Sequence, residues 1–399
     1  MKPGSWPSIL GIYLFGVLGV ACLSKMIPLA ADFQRALGAS PGTFALMMSL
    51  LALPAAILAT IGGAFVDRVG PRRTLILAAV IGAVANLGYL LAPSVPVFLA
   101  VRLLEGLTMV GVFTSAPALI MATTEGRRRV SAMTLWSTYT PTGFSLGLLL
   151  AAGFAGTPDW RVTFALHGGL FVLAALLGLA LPQAAPAARS GPAPSWSSRL
   201  ADLLAAYGQP GPVRLALAFG MVISIGLGTS TIIPSRLAQL EHIPIGQASA
   251  ILAAANFTMI LGALLTSTWL RRGGKARRLY LGLAAVGSIA GVVLFLPATG
   301  FPLEIVSLCV WLLATGGANA FTLAVLPAVV ADPRKGAAAA GLFSQVSSLV
   351  TLLTPPIWIG VFSHGGWQAF IAMIICGWLL SLALLPPKAA AFRAAPAAA

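Results

Sequence analysis

Charge is scarce in this sequence. Only 8% of its 399 residues are Asp, Glu, Lys or Arg, whereas a soluble protein carries roughly 25%. Acidic side chains are rarer than basic ones, with 9 Asp and Glu against 24 Lys and Arg. Hydrophobic residues make up 58% of the chain, and the mean hydropathy is +0.95. This balance excludes a soluble fold of this length.

Residues that commonly carry enzyme chemistry are also few. The chain has 3 cysteines and 3 histidines. Cys22, Cys309 and Cys376 all lie inside apolar runs, which favours packing over disulfide or metal roles. The sequence has no Walker loop, zincin motif or paired carboxylates, and its polar interruptions are too short for a catalytic domain. We therefore expect no enzyme activity, no cofactor and no metal.

Long apolar stretches dominate the chain instead. A membrane-spanning helix needs about 20 mostly apolar residues. The stretches free of Asp, Glu, Lys and Arg that reach about this length are 3–24, 36–66, 74–101, 106–124, 130–158, 162–188, 215–235, 243–270, 279–303, 305–331 and 336–387. The last is too long for one crossing, and Ser363 to Gly366 breaks it with residues that favour a turn. The sequence thus predicts twelve helices, numbered here segments 1 to 12.

The pattern predicts an all-α membrane protein of two six-helix bundles. Backbone exposed to lipid must satisfy its own hydrogen bonds, and these runs lack the polar alternation of a barrel. The longest polar interruption is rich in Ala, Pro, Ser and Gly and divides the segments six and six. The predicted parts are an N-terminal bundle (1–182), a linker (183–212), a C-terminal bundle (213–387) and a tail (388–399).

The two halves resemble each other. Gly63 to Arg73, after segment 2, parallels Ser267 to Arg277, after segment 8. Asp159-Trp160-Arg161 similarly parallels Gly366-Trp367-Gln368. Internal repeats of this kind are common in transporters, and together these favour a duplication.

Basic residues are distributed as the positive-inside rule requires. With the N-terminus in the cytoplasm, only Arg35, Arg161 and Arg236 face outside, while Lys25 and Arg102 lie within predicted helices, just beyond the charge-free segments. The net charge of +15 is thus a topology signal, with a lesser role in contacting anionic lipid, and does not indicate nucleic acid. We predict a bacterial inner-membrane protein with both termini in the cytoplasm.

The loop between segments 2 and 3 carries a recognisable motif. Gly63 to Arg73 reads GAFVDRVGPRR, and it resembles the signature loop of the major facilitator superfamily, GxxxDRxGxRR in outline. A carboxylate at a helix end can meet the positive N-terminus of another helix, and arginines can bind carboxylates or lipid phosphates.

The resemblance implies a conformational latch in this loop. Asp67 would hold the N-terminal half to the start of segment 11, near Gly336, when the cytoplasmic side is closed. The latch residues would be Gly63, Asp67, Arg68, Gly70, Arg72 and Arg73. The alternative is a solvated positive-inside loop. In the second half Arg271 occupies the position of the acid, so any latch there is degenerate.

The predicted helix that contains segment 4 begins with embedded charges, just before the segment itself. Arg102-Leu103-Leu104-Glu105-Gly106 resembles the superfamily's second motif, with Glu105 at a position that is commonly Gln. Embedded charges usually face a cavity or a partner, and a spacing of three places Arg102 and Glu105 near one helix face. Either Arg102 binds substrate or tunes Glu105 as the proton carrier, or the two form a structural ion pair.

Lys25 lies late in the predicted helix that contains segment 1, a cavity-lining helix in the superfamily. It is close enough to the external end to snorkel. If Lys25 points inward with Arg102 instead, the cavity has two positive charges and the single negative charge of Glu105. This surplus predicts an anionic substrate.

Other polar residues of the predicted helices have structural interpretations, as interfacial or packed side chains. Glu304 is predicted to be interfacial, and His167 is predicted to be a packed polar residue because segment 6 is peripheral in the superfamily. The cavity candidates that the resemblance implies could each equally be core or interface residues. They are Tyr13, Trp136, Tyr139, Asn256, Trp311, Asn319 and Gln345.

The resemblance implies a secondary active transporter that works by alternating access. We expect proton-coupled movement of a small polar or anionic organic solute, with protons and membrane lipids as further partners and a monomeric protein. One alternative is a drug or metabolite efflux antiporter, although Thr140-Pro141-Thr142-Gly143 only partly resembles the motif of such antiporters. A channel or a non-transporting membrane receptor is the alternative of another class.

Overall fold

The described part of the chain is built of helices. The structure is a computed structural model that describes residues 1–183, 201, 204, 207–296, 300–330 and 336–387. The α-helices are α1 (Trp6–Ser24), α2 (Ala30–Leu37), α3 (Pro41–Ser49), α4 (Ala52–Val69), α5 (Pro71–Leu91), α6 (Val95–Thr123), α7 (Gly126–Trp136), α8 (Tyr139–Ala152), α9 (Val162–Ala180), α10 (Pro210–Leu240), α11 (Ile245–Ala255), α12 (Thr258–Arg271), α13 (Ala276–Phe295), α14 (Phe301–Val329) and α15 (Gly336–Leu384). The predicted all-α class is confirmed.

The predicted number of twelve spans is not fully confirmed. In the described residues, nine helices are long and apolar enough to cross a membrane, or ten if the bent pair Pro41–Ser49 and Ala52–Leu58 forms one span. Predicted segment 5 is divided into two shorter helices, α7 and α8. Segments 11 and 12 both lie in α15, which is interrupted at Gly366 (φ 59°, ψ −156°). This glycine falls in the stretch predicted to turn.

Glycine and proline set the helix ends near the signature loop. Gly70 ends α4 and precedes α5 with φ at +91°, a backbone conformation that residues with a side chain rarely adopt. Pro71 follows as the first residue of α5, where its missing N–H leaves no helical hydrogen bond unmade. The loop therefore reverses the chain within a few residues.

The chain divides into two compact units. The first comprises Met1–Trp196 with Pro234–Ala253, and the second comprises Ser197–Ile233 with Ala254–Ala399. Within the first unit, the Ser145 hydroxyl donates to the Ala253 carbonyl at 2.7 Å. The predicted tail and residues 184–200 of the predicted linker lie outside the described residues, and the predicted domain boundaries stay a prediction.

Small residues bring the helices of the first unit together. A Cβ on Gly147 would lie 2.7 Å from the Ala21 carbonyl oxygen, and one on Gly143 would lie 2.7 Å from Cβ of Val20. These two glycines occupy one face of α8, so α8 lies directly against α1. Gly106 of α6 similarly adjoins Pro54, where an added Cβ would lie 2.7 Å from Cγ. This close packing encloses the polar side chains of α1 and α6.

The second unit has an aromatic core. Trp311 and Trp378 are fully buried and meet edge to face, with ring centroids 6.1 Å apart. The indole N–H of Trp358 donates to the Ser224 hydroxyl at 2.9 Å. Tyr280 and Ser381 form a buried hydroxyl pair between α13 and α15.

Candidate functional site

Four helices of the first unit converge on Lys25. This residue follows directly after α1, and its side chain is fully enclosed, at 0% exposure. It reaches polar side chains on α5, α6 and α9. We call this group the Lys25 cluster. It comprises Lys25, Asn86, Tyr89, Arg102, Glu105 and His167.

The ammonium group of Lys25 has three acceptors for its three hydrogens. Nζ lies 2.6 Å from Oδ1 of Asn86, 2.6 Å from Oε1 of Glu105 and 2.9 Å from Nδ1 of His167. The ring of Tyr89 lies 5.1 Å from Nζ, within the range of a cation–π contact. Lys25 therefore does not snorkel toward the outside in this structure.

Both oxygens of Glu105 accept from charged or phenolic donors. Oε1 accepts from Lys25 at 2.6 Å, while Oε2 accepts from the Tyr89 hydroxyl at 2.7 Å and from the Arg102 guanidinium. The carboxylate thus bridges two cations that come from different helices. The ion pair between Arg102 and Glu105, one of the two alternatives that the sequence left open, is present in the structure.

Arg102 also binds backbone carbonyls. Its guanidinium donates to the carbonyls of Cys22 at 3.0 Å and of Met48 at 2.8 Å, and Nε donates to the Met47 carbonyl. Met47 and Met48 belong to α3, so the arginine ties α6 to both α1 and α3. Burial without these acceptors would leave costly unpaired donors.

His167 is packed, as the sequence predicts, and the residues it packs against are those of the Lys25 cluster. Because the ammonium group of Lys25 only donates, Nδ1 of His167 accepts from it. Nε2 then carries the hydrogen and donates to the Leu18 carbonyl at 3.2 Å. This assigns a neutral imidazole in the Nε2–H tautomer.

Asn86 and Tyr89 belong to the site although no sequence motif marks them. They stand three residues apart on α5 and therefore share a face that points at Lys25 and Glu105. The available signal was that each is a polar residue in a long apolar segment, as is His167 in α9.

The Lys25 cluster carries a surplus positive charge. Lys25 and Arg102 contribute two charges, Glu105 contributes one of opposite sign, and His167 is neutral. All four side chains are 0% exposed. One positive charge is therefore uncompensated within the cluster, in surroundings of low polarity where charge is costly.

The cluster does not fit a metal ion. Cys22, Glu105 and His167 have ligand atoms within 4.8 Å of one another. However, the Lys25 ammonium already contacts Oε1 of Glu105 and Nδ1 of His167, and a second cation there would meet strong repulsion.

Three other predicted residues form an aromatic and hydroxyl group on the same unit. The Tyr13 hydroxyl lies 2.9 Å from that of Thr138 and 2.8 Å from that of Thr142. The rings of Trp136 and Tyr139 are 4.5 Å apart and tilted by 31°. Tyr13 and Tyr139 are half-buried, so this group borders the surface of the helices more closely than the Lys25 cluster does.

The remaining cavity candidates lie in the second unit. Asn256 and Trp311 are buried there, while Asn319 and Gln345 are half-buried. Among the described residues, Trp311 Nε1 and Asn319 Oδ1 have no hydrogen-bond partner, which is unusual for buried polar atoms. Glu304, at the start of α14, is only 2% exposed and is therefore packed against neighbouring residues of the unit.

The predicted latch residues have separate environments. Asp67, Arg68 and Arg73 are exposed. Arg72 instead donates to the carbonyls of Gly178, at 3.0 Å, and Leu179, where it caps the last turn of α9. Residues 331–335, immediately before the predicted partner at Gly336, lie outside the described residues. The latch stays a prediction.

Comparison with known proteins decides the family. The family model described as "Major Facilitator Superfamily" matches residues 9–355. The chain belongs to the major facilitator superfamily. The match runs through both motif regions and most of the second half. Among curated proteins, no relative matches.

Solved structures of the superfamily share this fold. A bacterial homologue of the human lysosomal transporter Spinster, captured inward-facing and unoccupied, aligns with a TM-score of 0.78 at 17% identity over 100% of both chains. A mutant form of the nucleoside transporter NupG aligns at 0.71 and 17%, over 95% of this chain and 97% of its own. A D-xylose-proton symporter aligns at 0.71 and 17%, over 96% and 98% respectively. The family and these neighbours point to a transporter rather than an enzyme.

Proposed function

We propose that this superfamily member moves a small polar or anionic organic solute by alternating access, with coupling to protons. The observation that carries the proposal is the enclosed carboxylate of Glu105 held between Lys25 and Arg102. Charges inside a membrane protein are costly, and they are commonly retained for ion or substrate pathways. In a proton-coupled transport cycle, such a cluster would take part in proton movement as well as in helix packing.

The surplus positive charge bears on the solute. Two cations oppose one carboxylate in the Lys25 cluster, so its net potential attracts an anion and repels a cation. The half-buried cavity candidates outside the cluster carry neutral hydroxyl, ring or amide groups, and they are Tyr13, Tyr139, Asn319 and Gln345. Such groups bind polar organic solutes through hydrogen bonds and ring contacts. Both features favour a polar or anionic solute over a cation.

Uptake into liposomes tests the proposal. Reconstituted protein receives a pH gradient, and uptake of labelled organic anions, zwitterions, cations, sugars and nucleosides is compared with that of empty liposomes. Glu105→Gln is measured beside Glu125→Gln, which alters an exposed acid, at equal amounts of folded protein. We expect gradient-driven uptake of an anion or neutral polar solute in the wild type and in Glu125→Gln, with loss in Glu105→Gln. Uptake independent of the gradient and unchanged in Glu105→Gln would overturn the coupling.

Efflux of an aromatic drug or metabolite is the second candidate. The observation that favours it is the aromatic group of Trp136, Tyr139 and Phe113, in which the rings of Phe113 and Tyr139 lie 5.3 Å apart and are tilted by 36°. Aromatic rings bind aromatic solutes by offset stacking. Liposomes preloaded with an aromatic solute would lose it when protons enter in the opposite direction, and Tyr139→Ala would slow this loss.

We further propose an inner-membrane location with both termini in the cytoplasm and a monomeric working unit. The distribution of basic residues supports the orientation. A membrane-impermeant thiol reagent tests it on intact cells. A cysteine replacing His242, which lies between segments 7 and 8 on the predicted external side, should react from outside. One replacing Arg127, between segments 4 and 5 on the predicted cytoplasmic side, should not.

A further inference from the structure

We propose that Lys25 and His167 together hold one exchangeable proton, and that this pair is the site at which the transporter binds the proton it moves. The inference deepens the proposed function and rests on its proton coupling. It transfers the role of proton carrier from Glu105 to a pair that sequence reasoning did not connect.

The geometry permits transfer within the pair. Nζ of Lys25 lies 2.9 Å from Nδ1 of His167. In the transfer, one N–H bond at Nζ breaks, a new one forms at Nδ1, and the positive charge passes from Lys25 to His167. The hydrogen bond persists with its donor reversed, and Nε2–H continues to donate to the Leu18 carbonyl. The three acceptors around the ammonium group are Asn86, Glu105 and His167. Only the carboxylate and the imidazole can take up a proton, because an amide oxygen does not titrate in proteins.

Glu105 is poorly arranged to take the proton. Oε1 accepts from Lys25, and Oε2 accepts from Tyr89 and Arg102. A hydrogen moved from Nζ to Oε1 would reverse that bond, but it would also remove the carboxylate charge that pairs with Arg102. Glu105 thus acts as the fixed counter-charge that positions Lys25.

The charge balance favours release from the pair. Arg102 stays protonated in proteins, so it cannot supply the proton. When the pair gives one proton to water, Lys25 and His167 are both neutral, and the remaining charges of Arg102 and Glu105 cancel. Release therefore removes the surplus charge that burial makes costly. The groups that face the pair are Cys22 from α1, Asn86 and Tyr89 from α5, Arg102 and Glu105 from α6, and the ring of Phe164 from α9.

The protein alone, without any solute, allows a direct test. His167, His242 and His364 are the 3 histidines of the chain. Asn at position 242 suits the positive φ of 52° there, and His364 is exposed. In the double variant His242→Asn, His364→Gln, ring-¹⁵N histidine reports on His167 only. The protein is placed in lipid nanodiscs, and the Nδ1 chemical shift is followed between about pH 5 and pH 9.

We expect an Nδ1 shift intermediate between those of a bare and a protonated nitrogen, moving to the bare value as the pH rises. Lys25→Arg keeps a charge and a donor but does not release its proton, so in this variant the shift should not respond to pH. In Glu105→Gln the response should move to lower pH, because loss of the counter-charge favours release of the proton from the pair. A pH-independent bare Nδ1 in the protein with native Lys25 and Glu105 would overturn the inference, and this measurement requires no change in the cluster. A response that Glu105→Gln abolishes and Lys25→Arg retains would also overturn it, in favour of Glu105.

The liposome assay separates this inference from the proposed function. Gradient-driven uptake, together with an Nδ1 chemical shift of His167 that does not respond to pH, would support proton coupling and place the proton-binding site elsewhere. An Nδ1 chemical shift of His167 that responds to pH, without gradient-driven uptake, would establish a proton-exchange site and refute coupled transport.

Discussion

The Nζ atom of Lys25 lies 2.6 Å from Oε1 of Glu105, although the two residues are 80 positions apart in the sequence. Both side chains are fully enclosed. The ion pair joins the end of α1 to α6 inside one unit. It therefore supports the fold and, in the proposals above, also fixes the position of the proton-holding lysine.

Removing the carboxylate should destabilise the protein. In Glu105→Gln, Lys25 and Arg102 remain enclosed without a counter-charge, and breaking a buried pair in this way costs about 3–5 kcal/mol. The melting temperature in detergent, read from the fluorescence of the 9 tryptophans, should fall clearly. Glu125→Gln, which alters an exposed acid, should melt like the wild type. Equal melting of the two variants would show that the pair contributes nothing to stability.

Removal of the Tyr89 hydroxyl measures how much one hydrogen bond to Glu105 contributes to stability. Tyr89→Phe removes a donor to the carboxylate, and hydrogen bonds to charged groups contribute about 1.5–3 kcal/mol. Tyr280→Phe removes a buried bond between two neutral hydroxyls, at about 0.5–1.5 kcal/mol. Thermal unfolding should rank Tyr89→Phe as the more destabilised. The reverse order would mean that Glu105 is not charged in the folded protein.

Gly106 should tolerate no added methyl group. In Gly106→Ala the new Cβ would press on Pro54 and the Leu51 carbonyl, and overpacking of this kind costs about 1–3 kcal/mol. Gly153→Ala is the matched control, since a Cβ there meets nothing within 4 Å. Comparison of the two melting temperatures decides the matter. Equal values would show that α6 moves away from its neighbours without cost.

Asp67→Asn tests the predicted latch. The interaction of a carboxylate with a helix N-terminus is worth roughly 0.3–1 kcal/mol, so its loss should change the ratio of the two conformations about two- to fivefold toward the cytoplasm-open form. Spin-label distances across the cytoplasmic side would measure this ratio, with Glu125→Gln as the control acid. An unchanged ratio and an unchanged transport rate would leave Asp67 as an ordinary loop residue.

The helices were largely predictable because apolar length is a local property. The signature loop was predictable in the same way, since Gly70 and Pro71 dictate a reversal at one point of the chain. Local breaks were harder to predict. Segment 5 is interrupted between Trp136 and Tyr139. Pro141 has no N–H to donate to the Ser137 carbonyl, but a proline does not by itself predict a break, because Pro117 lies inside the continuous helix α6.

The membership of the Lys25 cluster was only partly predictable. Arg102 and Glu105 share one helix turn, so their pairing followed from spacing. Asn86 and His167 are 61 and 142 residues from Lys25, and no spacing rule connects them. For the same reason, the sequence gives no sign that the guanidinium of Arg72 caps α9, 106 residues later.

The sequence by itself determined that this protein is an all-α membrane protein of the transporter type, because the lipid environment demands long apolar helices and leaves its mark on composition. It also singled out the embedded charges, since each one is costly in an apolar segment. Only the tertiary structure decided which of those charges meet. Hydrogen bonds and ion pairs act over about 3 Å, and helix packing alone brings residues from four separate helices within that distance.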